Sequence, residues 1–431
     1  PFTCDTTGNI RFVDYQNGSN SNNGKTSATA WKTLNYAADQ MKPGDFLYLM
    51  GGTYSEYDFG IGSGIGEGAV RFPGTDSERI TMTSYPGAKD VVVSTEIGAK
   101  SSYWTFTNIT FVGTAGTYAP LSLGHRYGWQ PVSIFGVPEG VSSIGNEFTG
   151  TMWLALEAYG NNITIQGNYI KFTPDPSTLH GSAYSLYMGS GTNRVIKDNE
   201  IHGGSKWLIH YYDEKRTSTE TYKEVSGVID GNWFDATNNG GIGLRGAIIF
   251  QLSDNGTPPV TIEMKSMTVK NNIFFTRDAG LINDWSMVML RGNSKNIKIY
   301  NNTFYNINTS AIAITTTKGT ENFEIRNNIF ADIDGYDIDA SGNPQSVTAS
   351  SNLYDNTPNL NSITDTNPIV GDPQFVNPAG YDFHLKSTSP AIDAGLTIDT
   401  VIRDYEYNPR PLDGDYSGTP EYDVGAFEYA D

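Results

Sequence analysis

The sequence predicts an all-β fold, a parallel β-helix in which short strands stack coil upon coil. Three features of the sequence indicate this fold. A corner built around asparagine recurs along the chain, short alternating apolar and polar segments precede most of these corners, and helical periodicity is almost absent. The abundant glycine, tyrosine and phenylalanine residues also favour turns and strands over helices.

The repeated corner is an asparagine followed two residues later by an apolar side chain, as in KDNEIHG, KNNIFFT and YNNTFYN. The corner asparagines are Asn146, Asn168, Asn199, Asn232, Asn272, Asn302, Asn328 and Asn352. Their spacings of 22, 31, 33, 40, 30, 26 and 24 residues indicate one coil per corner with variable insertions. Asparagine tolerates the left-handed backbone of a tight corner, and stacked asparagine side chains can hydrogen-bond along the stack. We therefore expect this column to be structural and to lie outside any functional site.

The two ends of the chain depart from the repeat, and we expect them to cap the stack. Residues 1–45 contain an initial strand and a helix predicted in AWKTLNYAADQM. The helix places four apolar residues on one face: Trp31, Leu34, Ala38 and Met41. Residues 46–360 form the coils, and residues 361–431, which are rich in proline and aspartate, are predicted to form an irregular C-terminal cap.

The composition excludes several functional classes. The formal net charge of −19 disfavours binding to nucleic acid or to anionic membranes. Cys4 is the single cysteine, so an intrachain disulfide cannot form. No apolar run reaches the length of a transmembrane helix. The chain begins at Pro1 rather than at methionine, from which we expect a mature secreted protein without its signal peptide.

Four segments carry a resemblance to a known family. They are the opening YQNGSNSNNGKTSATAWKTLNYAADQMKPGDFLYLMGGTY, the corners such as IKIYNNTFYN, the tail DFHLKSTSPAIDAG and the ending YDVGAFEY. The chain resembles secreted right-handed parallel β-helix proteins of the pectate-lyase-like superfamily. The resemblance implies a right-handed coil, an extracellular location and a polysaccharide partner. That superfamily includes lyases, hydrolases, epimerases and proteins without enzymatic activity, and the motifs that separate these activities are not recognisable in this chain.

The candidate site follows from the outward-facing positions of one predicted sheet beside the widest insertions. Counting ten residues on from the corners at Asn199, Asn302 and Asn328, we expect Ile209, Ile312 and Ile338 to point inward and their neighbours along each strand to point outward. The predicted catalytic residues are His210, Tyr212 and Arg291. The predicted substrate-binding residues are Glu157, Tyr187, Lys206, Trp207, Lys215, Arg216 and Trp285.

These residue types suit β-elimination on a uronate. A base removes the proton next to the carboxylate, a donor protonates the departing oxygen, and a cation neutralises the carboxylate. We assign these roles to His210 as the base, Tyr212 or Tyr187 as the acid, and Arg291 as the cation. Trp207 or Trp285 would stack on a sugar ring.

Two other functions remain open from the sequence. A glycoside hydrolase needs two carboxylates, for which Glu157 with Asp213, or Asp213 with Glu214, are the candidates. A non-catalytic binding, adhesin or structural solenoid would retain sugar without changing it. No cofactor is required by any motif, although the loop DIDGYDID from Asp332 offers oxygen ligands for Ca²⁺ without the spacing of an EF-hand.

Overall fold

The computed structural model of the chain describes residues 8–55, 73–88, 91–94, 97–99, 101–117, 119–123, 139–175, 183–203, 206–213, 222–237, 244–252, 261–277, 285–292, 294–315, 321–342 and 344–430. The chain forms two compact units, Pro1–Val195 and Ile196–Asp431. In each unit the chain visits three parallel sheets in turn, which we call sheets 1, 2 and 3. No helix among the described residues is long and apolar enough to cross a membrane.

The described residues of the first unit form short strands and one α-helix, Leu34–Gln40, with a 3₁₀ turn at Ser27–Thr29. The strands of sheet 1 are Ile10–Val13, Phe46–Leu49, Ile80–Ser84, Trp104–Thr107, Ser142–Ile144, Thr164–Gln166 and Gly191–Lys197, the last of which contains the boundary. The strands of sheet 2 are Gly52–Tyr54, Val91–Val93, Thr110–Gly113, Glu147–Met152 and Tyr169–Ile170, and Thr173–Pro174 pairs with the fourth of them. The strands of sheet 3 are Ile97–Ala99, Leu121–Leu123, Leu154–Ala158 and Tyr184–Met188.

The second unit repeats the same order, with several longer strands in sheets 1 and 3. The strands of sheet 1 are Tyr222–Asp230, Thr261–Lys270, Lys295–Tyr300, Glu321–Arg326, Gln345–Ser350 and Asp365–Thr366. The strands of sheet 2 are Glu200–His202, Trp233–Asp235, Ile273–Phe275, Thr303–Ile307, Ile329–Ile333, Leu353–Tyr354 and Ile369–Val370. The strands of sheet 3 are Trp207–Asp213, Gly246–Leu252, Ser286–Gly292, Ser310–Ile314, Ile338–Asp339 and Leu360–Asn361. An antiparallel pair, Phe375–Asn377 and Asp382–Leu385, flanks a 3₁₀ turn at Pro378–Gly380.

This topology confirms the predicted all-β parallel β-helix. Strands that are neighbours in a sheet come from successive coils, so each strand pairs with the strand one coil further along the chain. The parallel strands continue to Val370, ten residues beyond the coil boundary expected at residue 360. The N-terminal helix is shorter than expected, because Thr33 caps it and Trp31 therefore lies outside it.

The corner asparagines form the predicted ladder of buried side chains. Asn302 is typical: its Nδ2 donates to the backbone oxygen of Val269 and to Oδ1 of Asn328, both at 2.9 Å. Its Oδ1 accepts hydrogen bonds from the side chain and the backbone of Asn272, also at 2.9 Å. In the second unit the same pattern links Asn199, Asn232, Asn272, Asn302, Asn328 and Asn352. Each amide therefore satisfies backbone groups that the turn leaves without a strand partner.

The left-handed residue of each corner is not the ladder asparagine but the residue before it. Asn271, Asn301 and Asn327 have φ values of 52°, 51° and 54°, and each precedes a ladder asparagine. Glycine holds this position before Asn146, Asn168 and Asn232, with φ near 62°. The expectation that the ladder residue itself takes the left-handed conformation was therefore wrong by one position.

The apolar residue two positions after each corner points into the coil and stacks on its counterpart in the next coil. Phe234, Phe274, Phe304 and Phe330 form a column with ring centroids 4.8–5.1 Å apart and nearly parallel planes. All four side chains are fully buried. The column fills the interior of the second unit with regular aromatic contacts, whose geometry is favourable beyond the area they bury.

In the second unit, the C-terminal segment covers the outer face of sheet 2. Phe375, Phe383 and Phe427 pack there against Phe275 and Ile329 in one buried cluster. Because this cluster combines side chains from the coils with side chains from the tail, the tail is packed as part of the core of the unit.

The first asparagine of each doubled corner holds this tail. Asn271 Nδ2 donates to the backbone oxygen of Arg403 at 3.0 Å, and Asn301 Nδ2 donates to that of Asp423 at 2.9 Å. Asn327 both donates to and accepts from the backbone of Leu396, at 2.8 and 2.9 Å. The sequence Asn-Asn therefore divides two tasks between adjacent residues, since one side chain points outward to the tail and the next points inward to the ladder.

A buried aspartate gives the second unit a pH-dependent stability. The pKa of Asp337 is raised to about 7, mainly by burial and also by the charge of Asp355, against a hydrogen bond from the Asn359 backbone. Because its folded pKa exceeds the unfolded value, the stabilisation is complete at low pH and is lost as the pH rises through about 7. We expect Asp337 to contribute about 2 kcal/mol less to the free energy of unfolding at pH 8 than at pH 5.5.

Denaturation of Asp337→Asn at both pH values tests this expectation. The variant should lose about 2 kcal/mol of the pH dependence, whereas Asp399→Asn, at an exposed position, should keep it. Asp423, whose pKa is also raised to about 7 by burial, leaves a residual dependence of the same sign. An unchanged pH dependence in Asp337→Asn would contradict the assignment.

Candidate functional site

The outer face of sheet 3 in the second unit brings two predicted catalytic residues into one row. Tyr212 lies beside Gln251 on the next strand, and Gln251 lies beside Arg291 on the strand after that. All three side chains are half-buried. With strands about 4.8 Å apart, the Cα atoms of Tyr212 and Arg291 are separated by roughly 10 Å. This is a span over which one sugar unit can contact both side chains.

His210 lies on the same strand as Tyr212 but is covered. Its side chain is 6% exposed, so the expectation that it projects into solvent was wrong. Burial, together with the nearby charges of Lys206 and Arg245, lowers the pKa of His210 to about 3, against the opposing effect of a hydrogen bond with Gln251. The imidazole is therefore neutral at pH 7, and it lies against the Tyr212 ring with centroids 5.2 Å apart. A base with so low a pKa provides little driving force for proton removal.

Three side chains occupy the positions just before successive strands of sheet 3. They are Lys206, Arg245 and Trp285, and the backbone N–H of Arg245 donates to the backbone oxygen of Lys206 at 2.9 Å. The Arg245 guanidinium lies over the Trp285 ring, 4.2 Å from its centroid. Arg291 lies over the same ring at 5.6 Å. We call Lys206, Arg245, Trp285 and Arg291 the basic–aromatic cluster.

The electrostatics of this cluster alter the chemistry of its lysine. Partial burial lowers the pKa of Lys206 from its usual value, and the adjacent charge of Arg245 lowers it further. A lysine shifted in this direction holds a larger neutral fraction near pH 7 to 8, and the neutral amine is a proton acceptor. The cluster therefore combines two arginines, which stay positively charged, with a lysine whose lowered pKa makes its neutral form more available as a proton acceptor.

Trp207 is buried against the cluster, so its ring does not offer a face to a sugar. Its ring is 2% exposed and meets Trp285 edge-on, with centroids 5.6 Å apart. The approach depends on Gly246, where an added Cβ would lie 2.6 Å from the Trp207 ring and 2.2 Å from the Ser286 backbone oxygen. The expectation that Trp207 stacks on a sugar is wrong for this conformation, whereas Trp285 is only half-buried.

Two predicted residues lie in the first unit. Glu157 is 1% exposed and pairs in register with Tyr187 on the next strand of sheet 3. Tyr187 is half-buried and contacts the rings of Tyr159 and Tyr184. The expectation that Glu157 faces solvent was wrong, and a covered carboxylate cannot reach a polymer.

Several predicted residues lie outside the described part of the chain. These are Lys215 and Arg216, together with Glu214 from the hydrolase alternative. The strand that precedes them ends at Asp213, whose backbone pairs with Leu252.

No three carboxylates of the described loop from Asp332 bring their oxygens within 4.8 Å of one another. Among the described residues, three carboxylates with oxygens within 4.8 Å of one another occur instead in the tail, at Asp393, Asp413 and Asp415. Asp332 is exposed and Asp337 is buried, so the aspartates of the loop face different surroundings.

Sequence reasoning missed Arg245 and Gln251. Gln251 carries no chemical signal on its own, because it is one polar residue in the apolar strand GAIIFQL. Arg245 could have been found by aligning the starts of the strands instead of the corners, since Lys206, Arg245 and Trp285 each immediately precede a strand.

Comparison with known proteins supports the fold. No protein-family model matches the sequence, and no curated protein sequence matches it significantly. The crystal structure of pectate lyase Pel9A is similar to this chain with a TM-score of 0.62 at 17% identity, covering 99% of this chain and 98% of that one. XylC in complex with xylose is similar with a TM-score of 0.58 at 10% identity, covering 98% of both chains. These likenesses confirm the predicted parallel β-helix fold.

Proposed function

We propose that this chain is a polysaccharide lyase that cleaves a uronate-containing polymer by β-elimination at the basic–aromatic cluster. One observation carries the proposal. In a chain of net charge −19, Lys206, Arg245 and Arg291 gather around one partly exposed tryptophan on the outer face of sheet 3. Such a local reversal of charge suits an anionic sugar, whose ring can stack on the indole while its carboxylate meets a cation.

Arg245 and Arg291 are the groups best suited to hold the substrate carboxylate. A guanidinium presents two parallel N–H donors to a carboxylate and remains charged throughout the reaction. Neutralising the carboxylate acidifies the C–H bond beside it and stabilises the enolate-like charge that develops when the proton leaves.

Lys206 replaces His210 as the proposed base. Its amine takes the proton from the carbon beside the carboxylate, and the C–H electron pair forms the new double bond to the neighbouring ring carbon. The bond from that carbon to the glycosidic oxygen then breaks, and the departing oxygen leaves with the electron pair. The pKa of Lys206 is lowered towards the working range of a base, whereas that of His210 lies near 3.

Tyr212 is the proposed proton donor to the departing oxygen. Its ring lies against His210, and its strand neighbour in the row is Gln251, which also hydrogen-bonds His210. We propose His210 as a positioning residue that fixes these two side chains from the buried side. Tyr187 lies in the first unit and is left with the role of substrate binding.

The fold supports an extracellular, carbohydrate-directed protein. The similar structure Pel9A is a pectate lyase, and pectate is a polyuronate. A hydrolase using Glu157 is disfavoured because that carboxylate is covered. Because the similar structure XylC contains xylose, a neutral sugar, a neutral polymer should be tested as a substrate beside the acidic ones.

The test is a screen of the purified protein against polygalacturonate, alginate and xylan, with and without a chelator. Ultraviolet absorbance reports the double bond of an elimination, and reducing ends report any cleavage. We expect both signals on an acidic polymer. Reducing ends without absorbance would indicate a hydrolase, and retention of polymer without cleavage would indicate a binding solenoid.

A further inference from the structure

A cleft lies on sheet 2 of the second unit, on a different sheet from the basic–aromatic cluster. It has a volume of about 480 Å³ and lies between the strands Thr303–Ile307 and Ile329–Ile333 and the start of the tail. This volume lies within the range of sites that hold small organic ligands. Its lining includes Tyr305, Asp332, Asp355, Asp372, Gln374 and Lys386.

Tyr305 gives the cleft a fixed aromatic wall. Its ring meets Phe375 edge-on at 6.1 Å and Phe383 at 5.2 Å, both from the antiparallel pair of the tail. The residue is half-buried, so part of the ring remains available to the cleft. An aromatic ring held in this way can pack against the C–H face of a pyranose.

The polar rim is also fixed in place. Asp355 Oδ2 accepts the backbone N–H of Asp332 at 2.8 Å, and Asp372 Oδ1 accepts that of Gln374 at 2.8 Å. The side-chain oxygen of Gln374 accepts a hydrogen bond from the hydroxyl of Thr388 at 2.6 Å, so the amide N–H groups are the donors that this side chain can offer to a ligand. Carboxylates can accept hydrogen bonds from sugar hydroxyls, and amides can donate hydrogen bonds to them. Because these groups are already held in position, binding a sugar costs less conformational entropy.

The charge of the cleft selects against acidic sugars. Three aspartates face one lysine, Lys386, so the lining carries excess negative charge. The pKa of Asp332 is raised by partial burial and by the neighbouring charges of Asp334 and Asp355, which indicates crowding of negative charge. A uronate carboxylate would add to this repulsion, whereas a neutral sugar would not.

We propose that this cleft is a binding site for an uncharged sugar unit, separate in place and in charge preference from the basic–aromatic cluster. The aromatic wall, the fixed hydrogen-bonding rim and the negative lining together define its ligand as a neutral pyranose. The proposal does not depend on the catalytic proposal, because no residue is shared between the two sites.

Titration with galactose and with galacturonate, followed by ligand-observed nuclear magnetic resonance, tests the proposal. The two sugars differ in the oxidation of one carbon, so their comparison isolates the effect of charge. To keep galacturonate off the basic–aromatic cluster, both titrations use the Arg245→Ala background and its parent. We expect galactose to bind and galacturonate to bind at least tenfold more weakly in the Arg245→Ala protein.

Substitutions at Tyr305 locate the binding. Tyr305→Ala should weaken galactose binding about tenfold, Tyr305→Phe should retain it, and Tyr416→Ala, at a 70% exposed tyrosine, should leave it unchanged. Should Tyr305→Ala fail to fold, Asp332→Asn provides a second test at a left-handed position (φ 58°) that asparagine tolerates. Because Asp332→Asn removes one negative charge from the cleft, it should reduce the ratio of galactose affinity to galacturonate affinity.

Two results would overturn the proposal. One is the absence of galactose binding, and the other is binding that none of these substitutions alters. Lyase activity should persist in Tyr305→Ala, and galactose binding should persist in Lys206→Ala, so failure of one proposal is distinguishable from failure of the other.

Discussion

Lys206→Ala is expected to lower kcat for cleavage of an acidic polymer by about 10³-fold while changing KM little. The amine is the proposed proton acceptor, and neighbouring groups at Arg245 and Arg291 still hold the substrate. Steady-state kinetics of double-bond formation provide the measurement. Lys32→Ala, at an exposed position in the first unit, is the matched control and should retain full activity.

Two further measurements separate proton removal from loss of charge. Lys206→Arg preserves the charge but not the ability to accept a proton, so it should bind polymer and remain inactive. The rate of the unmodified enzyme should rise with pH until Lys206 is deprotonated, at a pKa below the usual lysine value. If His210 were the base instead, its pKa of about 3 would make the rate independent of pH above about pH 5. Activity in Lys206→Arg would contradict the assignment.

Asn302→Ala is expected to lower the free energy of unfolding by about 4 kcal/mol. The substitution leaves the backbone oxygen of Val269 without its donor and deprives Asn272 of its acceptor, inside a core that water does not reach. Each buried polar group left without a partner costs about 1–3 kcal/mol. Chemical denaturation followed by circular dichroism measures the change.

Asn322→Gly provides the comparison for this ladder substitution. Asn322 is exposed and left-handed at φ 60°, a conformation that glycine adopts without strain. We expect a change below about 0.5 kcal/mol there. A similar loss in both variants would mean that the ladder contributes no more than a surface amide.

The coil register could be predicted from the sequence because it repeats. Ile312 was placed ten residues after its corner, and the same offset from Asn199 and Asn328 identified Ile209 and Ile338 as inward-facing. The structure pairs Ile312 with Ile338 and buries all three side chains. Period-two alternation then fixes which neighbours face the other way, since a slip of one residue would reverse every side chain.

Burial on the outer face could not be predicted in the same way. Alternation determines the direction of His210 and Glu157, but it does not indicate whether another part of the protein covers them, and both are covered. Arg245 was missed because insertions between corner and strand vary. Lys206 lies 7 residues after its corner (206 − 199), whereas Arg245 lies 13 after its own (245 − 232). Variable loops carry the site, and their lengths are not set by the coil geometry.

The doubled asparagines also impose an order on folding. The amides of Asn271, Asn301 and Asn327 reach acceptors 132, 122 and 69 residues further along the chain. These donors are aligned only after three successive coils have stacked. Until then, the surface of sheet 2 to which the tail binds is incomplete. Contacts of such long separation form slowly, and we expect docking of the tail to be the last and slowest step in assembling the second unit. Docking of the tail therefore indicates that the coils beneath it are already stacked.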